Sequence, residues 1–392
     1  MEEGMTWVFF WGAFAIVAGS YVGYPLWLAM LKLVRPRPVT KAEALSPWPF
    51  VSVVVAACNE EAKVAGRLAN LLEQDYPTDR LEIILVSDGS TDATVAVAQE
   101  VAEKAETEVK VLVIPERQGK PCALNEGVSH ARGEIIVFAD ARQRFEKDTV
   151  CHLVRNFADQ QVGCVSGELV FCKDSDSSIR AEMGAYWAYE KWIRRAESAT
   201  GSVVGATGAV YAVRRALYQP LPAETLLDDV LVPLFVARQG YRVIFDRQAV
   251  ACDVVSSDAS GEWRRKVRTL AGNWQLLGLF PGLLNPLRNP LALRFIGHKF
   301  SRLLVPFALP LLLLSSFMVG HPLAAILGWV QVFFYACALM ATLWQPCRKV
   351  RICNLSFFFC LLNVAALAGL VRWLTQKPEN IRFSWGRASA EN

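Results

Sequence analysis

The sequence predicts an α/β domain, with a doubly wound, mostly parallel sheet and helices on both faces. N- and C-terminal transmembrane helices carry it. Three observations predict this fold class. Uncharged apolar stretches occupy both ends of the chain, short β-branched runs alternate with helical periodicity between them, and each run ends in polar residues beside small ones. The 392 residues exceed what one small core needs. Hydrophobic residues reach 53% and charged residues only 20%, against roughly 45–50% and about 25% in soluble domains. That balance argues against disorder and coiled coil. The net charge of +4 gives no dominating basic field, so no nucleic-acid partner is expected. The ten cysteines form no C-x-x-C pair and have only four histidines beside them, which argues against a zinc site or a disulfide framework.

Gly4 to Leu31 carries no charge over 28 residues, and about 20 apolar residues suffice to cross a bilayer. A secretory signal would start basic and end in small residues. Here Glu2-Glu3 precedes the stretch and Lys32, Arg35 and Arg37 follow it. An uncleaved anchor is expected, with the rest of the chain entering the cytoplasm. Residues 36–49 read as a Pro-rich linker.

From there strands and helices alternate. Phe50–Ala57, Leu81–Val86, Val109–Ile114 and Glu134–Ala139 read as buried parallel strands. Glu60–Gln74, Ala93–Lys104 and Lys120–Ala131 read as the helices between them. Ligands of open α/β sheets bind beyond the carboxyl ends of the strands. Those ends are Cys58-Asn59-Glu60-Glu61, Ser87-Asp88-Gly89-Ser90-Thr91-Asp92, Arg117-Gln118-Gly119-Lys120 and Asp140-Ala141-Arg142-Gln143. Asp92, after Ser and Thr and before a helix, reads as cap chemistry.

Pro290 to Arg302 has Arg294, His298 and Arg302 at four-residue intervals. It reads as a basic amphipathic helix in the headgroup layer, with continuation of the following span as the alternative. Leu303 to Gln345 carries no charge and is punctuated by Gly320-His321-Pro322, which gives two spans. Asn354 to Val371 is an 18-residue stretch, long enough to cross but barely. Full crossing would leave Arg372, Lys377, Arg382 and Arg387 outside, against the positive-inside rule, so a re-entrant or interfacial segment is the alternative. The expected organisation is 1–34 anchor, 35–49 linker, 50–272 cytosolic domain, 273–302 interfacial helices, 303–374 C-terminal membrane helices and 375–392 polar tail.

These motifs resemble a family 2 glycosyltransferase of the GT-A fold, in its membrane-embedded, cellulose- and hyaluronan-synthase-like branch. The resemblance covers about residues 50–275. It implies a nucleotide-sugar donor, usually a UDP-sugar, a divalent metal (Mg²⁺ or Mn²⁺), and inversion at the anomeric carbon. Asn59 and Glu60 resemble first-strand contacts to the nucleoside, Asp88 the base- and ribose-binding aspartate, and Lys120 a nucleotide-contacting lysine. Asp140 resembles the first member of the D-x-D element and the metal ligand. Asp229 resembles the catalytic base that closes the Thr-Glu-Asp element, with Asp228 in the place of the Glu. Gly205 through Arg214, with Gly208 inside it, resembles the segment lining the acceptor side. Arg265 and Arg268 fall on the Gln and Arg of the Q-x-x-R-W element. Two departures stand out. Arg142 occupies the second D-x-D position, and Thr269 stands where the Trp would be.

The chemistry reads the same way from the residues. An inverting transfer needs a base for the acceptor hydroxyl proton, charge stabilisation on the leaving nucleoside diphosphate, and in-line placement of the sugar. Asp229 has Asp228 beside it and Asp253 and Asp258 further on, and close approach of two carboxylates raises one proton affinity. The plain alternative for Asp228-Asp229 is a helix cap. Arg142 could meet phosphate or pair with an acid such as Glu146. The expected acceptor is a polysaccharide, exported through the spans and with a further subunit of a secretion pore, or a lipid of the bilayer. A catalytically inactive nucleotide-binding scaffold is the rival function.

Overall fold

The computed structural model describes residues 2–171, 177–253 and 259–375. Asp258 and the basic tail beyond Thr375 lie outside them. Among the described residues, eight strands form one sheet, ordered β3-β2-β1-β4-β7-β6-β8-β5. They are β1 (Val51–Ala57), β2 (Leu81–Asp88), β3 (Glu108–Ile114), β4 (Ile135–Asp140), β5 (Arg144–Phe145), β6 (Val162–Phe171), β7 (Val210–Arg214) and β8 (Arg242–Asp253). The first four are parallel, as expected from their β-branched runs. Strand β7 then pairs antiparallel with both β4 and β6. Successive side chains of a strand point to opposite faces, so the sheet has two cores. Val54, Ala56, Ile84, Val86, Ile136 and Phe138 fill one. Val53, Val55, Ile83, Leu85 and Val137 fill the other.

Among the described residues, thirteen α-helices surround and extend this sheet. Helix α1 (Glu2–Ala18) passes through a π-turn at Gly19–Gly23 into α2 (Tyr24–Val34). Within the domain follow α3 (Glu61–Leu72), α4 (Thr94–Lys104), α5 (Lys120–Ser129), α6 (Thr149–Arg155), α7 (Ser177–Thr200), α8 (Asp228–Arg238) and α9 (Ala259–Leu279). After them come α10 (Ala292–Phe295), α11 (Ser301–Met318), α12 (Pro322–Leu343) and α13 (Arg351–Thr375). Among the described residues, four stretches are long and apolar enough to cross a membrane: Gly4–Val34, Ala292–Met318, Pro322–Leu343 and Arg351–Thr375.

The segment expected to float as an interfacial helix does otherwise. Helix α10 continues through a π-turn at Ile296–Phe300 into α11, and its basic side chains grip the domain. Arg294 donates to the carbonyls of Glu197, Ser202 and Thr200. His298 meets Glu197 and Glu190 at 2.9 and 3.1 Å, and Arg302 pairs with Glu190. Tyr24 donates to Glu197 from the first apolar stretch. The four-residue recurrence therefore serves α7, because buried carboxylates there offset the cost of desolvating these cations.

Candidate active site

The site forms where β4, α5 and α8 come together. Asp140 ends β4, and Lys120 opens α5 with its ammonium 2.9 Å from Asp140 Oδ1. The same ammonium lies 3.3 Å from Asp228 Oδ2. Lys120 thus bridges two acids that stand 88 residues apart in the chain. Burial alone would lower its proton affinity, but Asp140 and Asp228 together raise it.

Asp228 and Asp229 open α8 without capping it. The N-cap position is Leu227, with no side-chain cap bond. Acids in a first turn are favoured there by the helix dipole, and here they face the site. The backbone N–H of Ala206 donates to the Asp229 carbonyl at 2.7 Å. A Cβ on Gly208 would stand 3.2 Å from Asp229 Oδ2, so a bare glycine lets this loop approach the carboxylate. Burial and the neighbouring Asp228 push the Asp229 carboxyl up to about 6, against the cations Lys120, Lys299 and Arg194. A carboxylate poised near neutrality is suited to accept a proton.

Asp88 lies deeper than a surface contact would. It is fully buried. Its two oxygens accept from the backbone N–H groups of Gln118 and Gly119 at 2.7 and 2.8 Å. Gly89, at φ 61°, would drive a Cβ to within 2.4 Å of the Arg117 nitrogen. Asp88-Gly89 therefore clasps the loop that delivers Lys120. Asn59 is also a loop anchor: its Oδ1 accepts from Thr91 N–H at 2.8 Å, and its φ is 55°. Glu60 donates its N–H to Thr94 Oγ1 and pairs with Lys63. Asp92 accepts from Thr94 and Glu61 N–H at two helix starts, the cap chemistry expected of it.

Arg142 pairs with Asp253 at 2.6 Å rather than with Glu146, because β5 and β8 run antiparallel beside it. Arg265 and Arg268 sit on α9, where Gly272 packs against Leu226 and Leu227 just before the two acids. Arg268 lies within electrostatic reach of Arg372 on α13. The cations felt at Asp229 include two that sequence reading passed over, Arg194 and Lys299. Arg194 lies on α7, in a helix with no strand end to mark it, and Lys299 lies in the stretch read as lipid-facing.

A divalent cation fits this chemistry only in company. No group of three His, Cys, Asp or Glu side chains among the described residues could hold one alone. Arg142 cannot ligate a metal. Asp140 keeps one oxygen outside its bond to Lys120 and is partly exposed. Mg²⁺ or Mn²⁺ commonly uses one or two carboxylates, substrate phosphates and waters, so the residues fit a metal that enters with a diphosphate.

Comparison with known proteins points the same way. Residues 52–221 match the profile of Glycosyl transferase family 2. The chain is 27% identical over 238 residues to the "Probable glycosyltransferase YdaM" of Bacillus subtilis (strain 168), covering 59% of this chain and 57% of that protein. It is 31% identical over 201 residues to the "Beta-monoglucosyldiacylglycerol synthase" of Nostoc sp. (strain PCC 7120 / SAG 25.82 / UTEX 2576), covering 50% of this chain and 42% of that protein. It is 23% identical over 231 residues to the "Poly-beta-1,6-N-acetyl-D-glucosamine synthase" of Staphylococcus aureus (strain COL), covering 58% and 55%. The chain thus spans about half the length of the curated relatives it matches. Among solved structures, "Mannosyltransferase PcManGT from Pyrobaculum calidifontis in complex with GDP-Man and Mn2+" superposes with a TM-score of 0.69 at 27% identity, over 93% of this chain and 98% of that one.

Proposed function

We propose, from the premise that this chain belongs to glycosyltransferase family 2 and folds as a GT-A enzyme, that it moves a sugar from a nucleotide-sugar to an acceptor at a membrane surface. The observation that carries this reading is the Lys120 ammonium held between Asp140 and Asp228, with Asp229 beside them raised to about 6. The acceptor oxygen attacks the anomeric carbon while the bond from that carbon to the phosphate oxygen breaks. The hydroxyl proton passes to the Asp229 carboxylate, and the electron pair leaves with the nucleoside diphosphate. A single displacement of this kind inverts the anomeric centre. Lys120 stands where a buried cation offsets charge on the leaving diphosphate. Asp88, through the 117–119 loop, positions Lys120. A bound divalent metal would take Asp140 as its protein carboxylate and supply further charge neutralisation at the diphosphate.

A panel of radiolabelled UDP- and GDP-sugars incubated with membranes tests this reading and names the donor. Label should pass from one of them into a lipid-soluble or polymeric product. Donor left intact by the wild-type protein would favour the inactive-scaffold alternative.

The topology that suits this site has three crossings. Helix α13 is long enough to cross, yet its C-terminal half packs on α9: Trp274 Nε1 donates to the Ala366 carbonyl, and Gly369 abuts Leu270 and Ala271. Since α9 itself abuts the loop before Asp228, the end of α13 stays at the level of the domain. A cytoplasmic side for Arg372 agrees with this packing and with the positive-inside rule. A reporter fused after Asn392 should then behave as cytoplasmic, like one placed in the 35–49 linker. A periplasmic or extracellular signal from the C-terminal fusion would show instead that α13 crosses fully.

A further inference from the structure

Helix α7 is fastened along one side to the apolar stretches. Tyr189 Oη donates to the Tyr21 carbonyl at 2.9 Å. Arg294 donates to the carbonyls of Glu197, Ser202 and Thr200 around the end of the helix. His298 sits between Glu190 and Glu197, and Arg302 also pairs with Glu190. A helix tied at this many points is a rigid support for a side chain that it projects. Arg194 projects from it onto the turn beside Asp229. Its Nη1 donates to Thr207 Oγ1 at 2.6 Å, and its Nη2 donates to the Ala206 carbonyl at 3.1 Å. The planar guanidinium fork thus spans two consecutive residues. Thr207 is itself tied down. Its N–H donates to Ser166 Oγ at 2.9 Å, and its hydroxyl donates to the Gly167 carbonyl at 2.8 Å. With that proton committed, the hydroxyl lone pairs are left to accept from Arg194.

The other side of this turn meets Asp229. Ala206 gives its N–H to the Asp229 carbonyl at 2.7 Å while its own carbonyl takes Arg194. Gly208 brings the turn against the carboxylate, where a Cβ would stand 3.2 Å from Oδ2. The turn therefore touches both the main chain and the side chain of Asp229, and Arg194 holds it from behind. Asp229 also faces Asp228 on its own helix and the cations Lys120 and Lys299 on others. Both hydrogen-bond acceptors of Arg194 are neutral oxygens, so they do not cancel its charge, which favours the ionised form of Asp229.

We propose that Arg194 is a positioning residue, which clamps the 206–208 turn so that the Asp229 carboxylate meets the acceptor hydroxyl in one fixed orientation. This deepens the transferase reading and rests on it. Arg194 acts through Thr207 and Ala206, and the bonds made and broken are those of the transfer already described.

Kinetics and hydrogen exchange on the full-length protein in detergent micelles test it together. With the donor that the wild type uses, Arg194→Met should lower turnover by up to about 10²-fold, the cost of a misplacement of about 1 Å. The KM for that donor should not move, because the donor side of the site is untouched. Loss of the cation should also carry the acid limb of the pH profile to higher pH. Arg194→Lys keeps the charge without the fork, so it should restore the limb and leave turnover low. Amides of residues 206–208 should exchange faster in Arg194→Met, while β1 to β4 exchange as in the wild type. Thr207→Val, which removes one acceptor and keeps the arginine, should show the same two changes more weakly, and it decides the matter should Arg194→Met fail to fold. Wild-type turnover in a folded Arg194→Met protein overturns the proposal, as does unchanged exchange at 206–208. Faster exchange throughout the sheet assigns Arg194 to general stability and overturns it as well. Absence of transfer by the wild type would instead sink the transferase reading, and exchange at 206–208 then decides the clamp by itself.

Discussion

Asp229→Asn should reduce sugar transfer by about 10²- to 10⁴-fold, the usual contribution of a positioned general base. The amide keeps the shape of the carboxylate and its place under Gly208, so the loss should fall on turnover rather than on folding. The wild-type pH profile provides the second half of the test. A base must be unprotonated to work, so activity should be low in acid and rise as pH passes through about 6, where burial and Asp228 hold this carboxyl. Asp228→Asn should move that rise to lower pH, because it removes the second of the two influences that push Asp229 up. Initial rates between about pH 4.5 and 8 at saturating donor decide the matter. A rise that keeps its position in Asp228→Asn, or near-normal turnover in Asp229→Asn, assigns the proton to another group.

Lys120→Met should be the most damaging change to the site as a whole. Methionine matches the length of the stem and removes the ammonium that faces both Asp140 and Asp228. Asp228 is then left buried without its cation. Breaking a buried pair costs roughly 3–5 kcal/mol, with the lower end fitting here because Asp140 is partly exposed to solvent. Lys120 also lowers the proton affinity of Asp229. The activity that remains should therefore need a higher pH, opposite in sign to Asp228→Asn. Denaturant unfolding and the pH profile read the two effects separately. A variant that is fully stable, with its profile unmoved, would mean that the bridge carries neither stability nor electrostatic control. Lys120→Met with Asp228→Asn should recover part of the stability, because the pair is then lost together.

Much of this architecture is local and could be read one segment at a time. The four parallel strands show in the sequence as β-branched runs because both their faces are buried, and the ends of those runs led to Asp88, Lys120 and Asp140. The antiparallel half did not show. Residues such as Glu168 and Asp253 belong to strands whose polar ends pair with distant cations, so their runs are not uniformly apolar. Asp88 reads from the sequence as a nucleotide contact because a carboxylate follows a strand, and only the fold shows that its oxygens also accept from the N–H groups of the 117–119 loop.

The basic positions 294, 298 and 302 carry the same lesson more sharply. Helical spacing fixes that they share a face, but not what that face meets. Lipid headgroups and buried glutamates both attract cations, and α7 supplies Glu190 and Glu197 from more than 90 residues upstream. The sequence by itself determined the class of fold, the apolar stretches and the acids of the site, because propensity and periodicity act over a few residues. Only the tertiary structure decided which cation faces which acid and why Asp229 is pushed toward neutrality. Electrostatic energy depends on distance and burial, and neither is a property of a residue's place along the chain.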